Sequence, residues 1–226
     1  PDPETIDPAL NSASDGGCMI LHAFEGLLTY DQNEQLQPGC AELPEISEDG
    51  LTWTFHLYEG LKWSDGSDLT ANDFVYSWKR VANPATAAPY GETVLGMVKG
   101  FDEAMAGNVD ALAVTATDDH TLVVELANPC TYFGYLCAFA TLSPVNQATI
   151  EANGDAWATS PETYVSNGPV MVTEWVPGSH IITAKNPNYR EADKVKLDSI
   201  KWVLMEDDNA AYSAYVAGEI QMTKSV

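Results

Sequence analysis

The chain has 226 residues, with 33 Asp and Glu against ten Lys and Arg and a formal net charge of -23. Hydrophobic residues make up 45% and aromatics 10%, too rich for a disordered chain and enough for a folded core. The acidity speaks against nucleic acid and against an anionic membrane surface, since both need a basic footprint. It is spread along the chain, so it reads as a solvated surface or, more sharply, as a field attracting cationic solutes. No run of about 18 apolar residues occurs, so no membrane span is expected. Pro1-Asp2-Pro3-Glu4 is neither a basic nor an apolar leader; a chain starting after a removed signal, or one that never had a signal, fits equally.

In chain order, residues 1–28 open with a Pro-rich lead, Pro1 to Pro8, and a small polar loop. The apolar spacing of residues 20, 21, 24, 27 and 28 predicts a helix over 19–28, with Ser14 or Asp15 as its cap. Leu51, Trp53, Phe55 and Leu57 alternate onto one strand face, and Glu48-Asp49-Gly50 before them predicts a hairpin. Thr70-Ala71-Asn72-Asp73 carries a capping-box pattern that opens a helix with Phe74, Val75, Trp78 and Val81 on its apolar face. Lys79 and Arg80 suit that helix's last turn, and Pro84 ends it. Residues 90–106 read as helical with a break near Gly100. Two strands surround Asp118-Asp119-His120, and an aromatic helix follows over 133–139. After a helix-like start near 151, strands are expected after Gly168-Pro169, after Pro177-Gly178 and over 200–204, then a small-residue helix over 209–217 closed by Gly218.

No catalytic or nucleotide-binding motif appears, and His22, His56, His120 and His180 are too scattered for metal-ligand spacing. His56 is expected to face solvent on its strand. Neither a cofactor nor a metal site is expected. Cys18, Cys40, Cys130 and Cys137 form no C-x-x-C pair; two disulfides, including Cys130–Cys137, or four free buried thiols both remain open.

Several segments together resemble the family 5 extracellular solute-binding proteins, the receptors of peptide and nickel ABC importers. The resemblance rests on Thr5-Ile6-Asp7-Pro8, Phe24-Glu25-Gly26-Leu27-Leu28 and Pro38-Gly39-Cys40-Ala41-Glu42. It continues through Trp53-Thr54-Phe55-His56-Leu57, Lys62-Trp63-Ser64-Asp65-Gly66 and the long run Leu69 to Arg80. Ser166-Asn167-Gly168-Pro169, Lys185-Asn186-Pro187-Asn188-Tyr189 and Gly218-Glu219-Ile220 follow in the family's order. The oligopeptide-binding type is the most similar.

The resemblance implies an α/β fold: lobe I of a type II periplasmic-binding-protein-like receptor, with a mixed sheet and an extra α/β subdomain. Residues 1–28 and 153–226 would form the hinge-side subdomain, and 29–152 the extra one. The second lobe would lie outside these residues, with Val226 short of a natural domain end. It further implies a non-enzymatic, monomeric, extracytoplasmic receptor, lipid-anchored or not through a segment outside this chain. Such a receptor encloses a peptide by hinge closure and passes it to membrane permease subunits. Candidate ligand-binding residues are Ser14, Asp15, Gly16, Gly17 and Cys18 at a helix start, with Tyr90, Asn167 and Gly168. Asp15 would meet a peptide ammonium or serve only as a cap. Gly16 stands where some members carry Glu. Asn167 and Gly168 would border the cleft or form a plain turn, and Tyr90 would touch ligand or pack in the core. A same-fold receptor for a nickel chelate or a sugar is the alternative, followed by a hydrolase and a purely structural surface protein.

Overall fold

A computed structural model describes residues 2–223; Pro1, at the head of the Pro-rich lead, and residues 224–226 lie outside the described residues. Helix α1 spans Ser14–Ala23 and strands β1 and β2, Leu28–Tyr30 and Leu36–Pro38, pair antiparallel. Strands β3 (Glu45–Ile46) and β4 (Thr52–His56) follow, then helices α2 (Ala71–Ala82), α3 (Gly91–Leu95) and α4 (Phe101–Met105). Strands β5 (Val114–Asp118) and β6 (Thr121–Glu125) precede two short helices, α5 (Phe133–Leu136) and α6 (Gln147–Asn153). Strands β7 (Val170–Val176), β8 (His180–Lys185) and β9 (Ser199–Val203) and helix α7 (Asp208–Val216) complete the order.

The first helix differs from the expected 19–28. It starts earlier, inside the supposed polar loop, and stops at Ala23, with Phe24 extended at φ -123° and ψ 155°. The reason is a pairing distant in sequence: the carbonyls of Gly26 and Leu27 accept from Cys40 N (2.9 Å) and Gly39 N (3.1 Å). Phe24, Leu27 and Leu28 are buried, but as extended chain rather than as a helix face. The expected cap also moves. Ala13 is the N-cap and makes no side-chain cap bond, while Ser14 and Asp15 lie in the first turn. Asp15 Oδ1 accepts from Gly16 N at 2.8 Å, and its charge there suits the helix dipole.

Strand β4 behaves as its alternation requires. Trp53, Phe55 and the following Leu57 are buried, Leu51 is half-buried, and His56 faces outward 3.3 Å from Glu45. The β3–β4 hairpin forms, and the sheet order is β3-β4-β6-β5 with Trp53 opposite Val124 and Phe55 opposite Leu122. Helix α2 covers this sheet. Thr70 Oγ1 accepts from Asn72 N while Asp73 Oδ2 accepts from Thr70 N at 2.8 Å, completing the capping box. Phe74, Trp78 and Val81 are buried, each burial contributing about 1.5–3 kcal/mol. Gly100, at φ 82°, separates α3 from α4 at the expected break.

A mixed sheet was expected, yet every ladder among the described residues is antiparallel, including β7-β8-β9. For β5–β6 and β7–β8 the cause is local: the turns at Asp119-His120 and at Pro177-Gly178-Ser179 are too short for the crossover that a parallel pair needs. One apolar cluster runs from Ile6 to Ile181 and joins α1, the four-stranded sheet, α2 and Trp157. Buried Asp7 ties the N-terminal segment into it. Its carboxylate takes both Arg80 terminal nitrogens at 3.0 and 2.6 Å and Trp157 Nε1 at 3.0 Å. All four cysteines are free thiols.

Candidate ligand-binding site

The entry to α1 is shaped by a tight turn. The Asp7 carbonyl accepts from Leu10 N and Asn11 N, and Asn11 Nδ2 then donates to Thr5 O at 2.9 Å. Helix α1 lies directly on this turn at Gly16, where a Cβ would sit 2.1 Å from Asn11 Nδ2. Only glycine permits that approach. It brings Ser12, Ala13 and Ser14 to the rim of a cavity of about 360 Å³. The rest of the wall is mainly apolar. Leu21 comes from the next turns of α1, Tyr90 from the N-cap of α3, and Ala138 to Thr141 from the segment after α5. Tyr90 meets Phe139 edge-on at 5.3 Å, and Tyr30 also lines the cavity.

Of the residues singled out in the sequence, Ser14, Gly17 and Tyr90 line this cavity together. The others are placed differently. Gly16 is buried beneath Asn11, and Cys18 sits half-buried with its carbonyl 2.7 Å from His22 Nδ1. Asp15 is next to the rim but not among the lining residues. Asn167 and Gly168 are buried where α1 ends. The Asn167 amide accepts from Glu25 N at 3.1 Å and donates to Glu25 O at 2.9 Å. Gly168 N donates to Ala23 O at 2.7 Å, so close that a Cβ would lie 2.5 Å from the Ala23 carbonyl carbon. These two fix the exit of α1, which explains the turn there without any ligand. Leu21, Tyr30 and Phe139 carry no motif. Their signal is exposure of large apolar side chains, 62, 43 and 40%, visible only once the chain is folded.

A second cavity of about 450 Å³ shares Tyr30 with the first and is lined by Glu25, Gln37, Tyr58, Tyr189, Arg190 and their neighbours. Arg190 grips buried Glu25 through Nε at 2.7 Å and a terminal nitrogen at 3.0 Å, and Tyr189 donates its hydroxyl to Glu25 at 2.7 Å. Burial works against the Arg190 charge, but the Glu25 carboxylate outweighs it and holds the Arg190 pKa above its ordinary value. Burial, then the Glu25 charge, keeps the Tyr189 phenol protonated, and the same two causes raise the Cys40 thiol. The charges here are thus already matched to each other. Among the described residues, no group of three or more His, Cys, Asp and Glu side chains is disposed to hold a metal ion. Ser179, His180 and Glu174 do form a hydrogen-bonded chain, at 2.8 and 2.7 Å, but on an exposed hairpin outside both cavities.

The sequence profile of the bacterial extracellular solute-binding proteins, family 5 middle region, matches residues 35–226. The chain belongs to this family. The family 5 chain is 38% identical over 225 residues to the probable deoxycholate-binding periplasmic protein YgiS of Escherichia coli, covering 98% of this chain and 42% of that one. It is 40% identical to the periplasmic oligopeptide-binding protein OppA of Salmonella typhimurium, covering 88% of this chain and 37% of that one. Among solved structures, Haemophilus influenzae OppA in complex with the peptide RPPGFSPFR superposes with a TM-score of 0.91 at 34% identity, over 96% of this chain and 43% of that one. The murein tripeptide binding protein MppA of Escherichia coli gives 0.92 at 32% identity, over 96% and 43%. The α/β fold is therefore that of a type II periplasmic-binding-protein-like lobe, and the chain spans about two fifths of the length of these relatives.

Proposed function

We propose that this family 5 chain forms the first lobe of a receptor that captures oligopeptides outside the cytoplasm and delivers them to the permease subunits of an ABC importer. The observation that carries the reading is the trough beside the start of α1, where a polar rim, Ser12 to Ser14, faces the aromatic wall of Tyr90 and Phe139. A bound peptide must have its backbone polar groups satisfied, because burying one unpaired costs a few kcal/mol. Gly17 N already donates to Ala13 O and Gly16 N to Asp15, so the helix-start donors left for a peptide carbonyl are those of Ser14 and Asp15. Apolar side chains of the peptide would rest against Tyr90, Phe139 and Leu21. A second lobe would close over the ligand by hinge motion. In this reading the receptor is a monomer and no enzyme. Residues 1–28 with 153–226 form its hinge-side subdomain, and 29–152 the extra one. Ser14, Gly17 and Tyr90 touch ligand, while Gly16, Asn167 and Gly168 hold α1 in place.

A second reading, an amphipathic non-peptide solute, draws on the mainly apolar wall and on the relative named for deoxycholate. Native mass spectrometry of the full-length protein, with sequencing of any released ligand, separates the two. Co-purified peptides in a narrow range of lengths are expected. A steroid-acid adduct that peptides do not displace moves the function to the second reading, and no adduct with no binding of added peptides sinks the first.

A further inference from the structure

Tyr30 lines both cavities, the apolar trough on one side and the polar one beyond. Two contacts fix its ring there. The hydroxyl donates to the Tyr135 carbonyl at 2.9 Å, and the ring stacks on Tyr135 at 6.1 Å between centroids, 28° from parallel. Burial raises the Tyr30 pKa, so the hydroxyl stays a neutral donor. Neither ring is rooted in the core: Tyr30 is 43% and Tyr135 47% exposed. Strand β1 is only three residues long, with Tyr30 at its end opposite Leu36. One hydrogen bond and one stacking contact are therefore what hold the ring of the residue that lines both cavities.

We propose that Tyr30 is a partition that sets how long a ligand this face accepts; the inference rests on the trough being the ligand site. With the ring in place, a ligand lying along Tyr90 and Phe139 ends against Tyr30. With the ring swung aside, the trough would open into the cavity lined by Thr29, Gln37 and Tyr58. A ligand end reaching that floor meets an Arg190 already paired with Glu25, so the extension suits neutral polar groups rather than charged ones. Tyr30 is thus a specificity-determining residue, and its hydrogen bond to Tyr135 is the catch.

The test uses the full-length protein as wild type, Tyr30→Phe and Tyr30→Ala. Each is titrated by calorimetry with a tri-, a penta- and a nonapeptide of alanine carrying one terminal lysine. The expected result is a rise of about tenfold in the ratio of nonapeptide to tripeptide affinity for Tyr30→Ala, the worth of about one more buried side chain. Tyr30→Phe, which keeps the ring and loses the catch, should fall between. Should Tyr30→Ala lower the melting temperature, Tyr30→Phe carries the test, because it removes a single hydroxyl. An unchanged ratio in folded variants overturns the partition and leaves the receptor reading standing. A wild type that binds none of the peptides overturns the receptor reading and the partition with it.

Discussion

Helices α2 and α7 start alike and end differently. Both are capped by a side-chain oxygen, Thr70 in α2 and Asp207 in α7, the latter accepting from Asn209 N at 2.8 Å. Both carry aromatics at helical spacing, Phe74 and Trp78 in one, Tyr212 and Tyr215 in the other. Yet α2 buries Phe74, Trp78 and Val81 against the four-stranded sheet, whereas α7 buries only Ala214. The strands repeat the contrast: β4 alternates buried with half-buried residues, while no residue of β9 is fully buried. Local signals make a helix possible, and packing of an apolar face decides how much it stabilises the chain.

The largest effect should fall on the packed side. Trp78 is fully buried, with its Nε1 donating to the Leu142 carbonyl at 3.0 Å. Trp78→Ala removes that bond and opens a cavity, for a loss of about 3–5 kcal/mol. Urea denaturation of the chain reads it directly, and a loss below about 1 kcal/mol would show that the region tolerates collapse and that the contrast with α7 is overstated. The next effect is electrostatic. Asp7 and Arg80 form a bidentate pair, with the Asp7 side chain 3% exposed. Arg80→Ala leaves a buried carboxylate without its cation and should cost about 3 kcal/mol or more, because an uncompensated buried charge is worse than no pair. The double replacement Asp7→Ala, Arg80→Ala is expected to lose less than the sum of the two single changes.

The α2 side was legible in the sequence because its signals are local: the Thr70–Asp73 box, the alternation through Trp53 and Phe55 and the Gly100 break each read within a few residues. The end of α1 was not. Residues 24, 27 and 28 satisfy helical spacing, but the carbonyls of Gly26 and Leu27 are used by Gly39 and Cys40, a pairing that periodicity does not reveal. The lining of the trough divides in the same way. Ser14, Gly17 and Tyr90 stood out from a helix start and a family pattern, whereas Tyr30 gains its place from a hydrogen bond to a residue 105 positions away. The mixed sheet was expected from family resemblance, whereas the short turns after β5 and β7 require those two pairs to be antiparallel.

A smaller effect tests the α2 cap through pH. Burial raises the Asp73 pKa above its ordinary 3.8, against the opposing hydrogen bond from Thr70 N. The folded state therefore keeps a proton on Asp73 at pH values where the unfolded chain has lost it. The stabilisation from this linkage is fully present below pH 3.8 and is lost as pH rises through the folded value. The melting-temperature difference between wild type and Asp73→Asn should accordingly move against the wild type as pH climbs from about 3 to 6. A difference that moves the other way would mean that the hydrogen bond from Thr70, not desolvation, governs the group.

The smallest effect belongs to α7. Tyr212 is 49% exposed on a helix whose only buried residue is Ala214, so truncating it removes little apolar area from contact. Tyr212→Ala in this chain should change stability by less than about 0.5 kcal/mol, the range of surface substitutions away from special features. Measured beside Trp78→Ala in the same denaturant series, it turns the comparison of the two helices into a ratio. Near-equality of the two losses would require α7 to pack in solution as α2 does, against a surface that its burial pattern here does not contain. A large ratio would establish that two capped, aromatic-bearing helices of one chain contribute unequally to its stability because only one of them buries its aromatics, Trp78 with its hydrogen bond to Leu142.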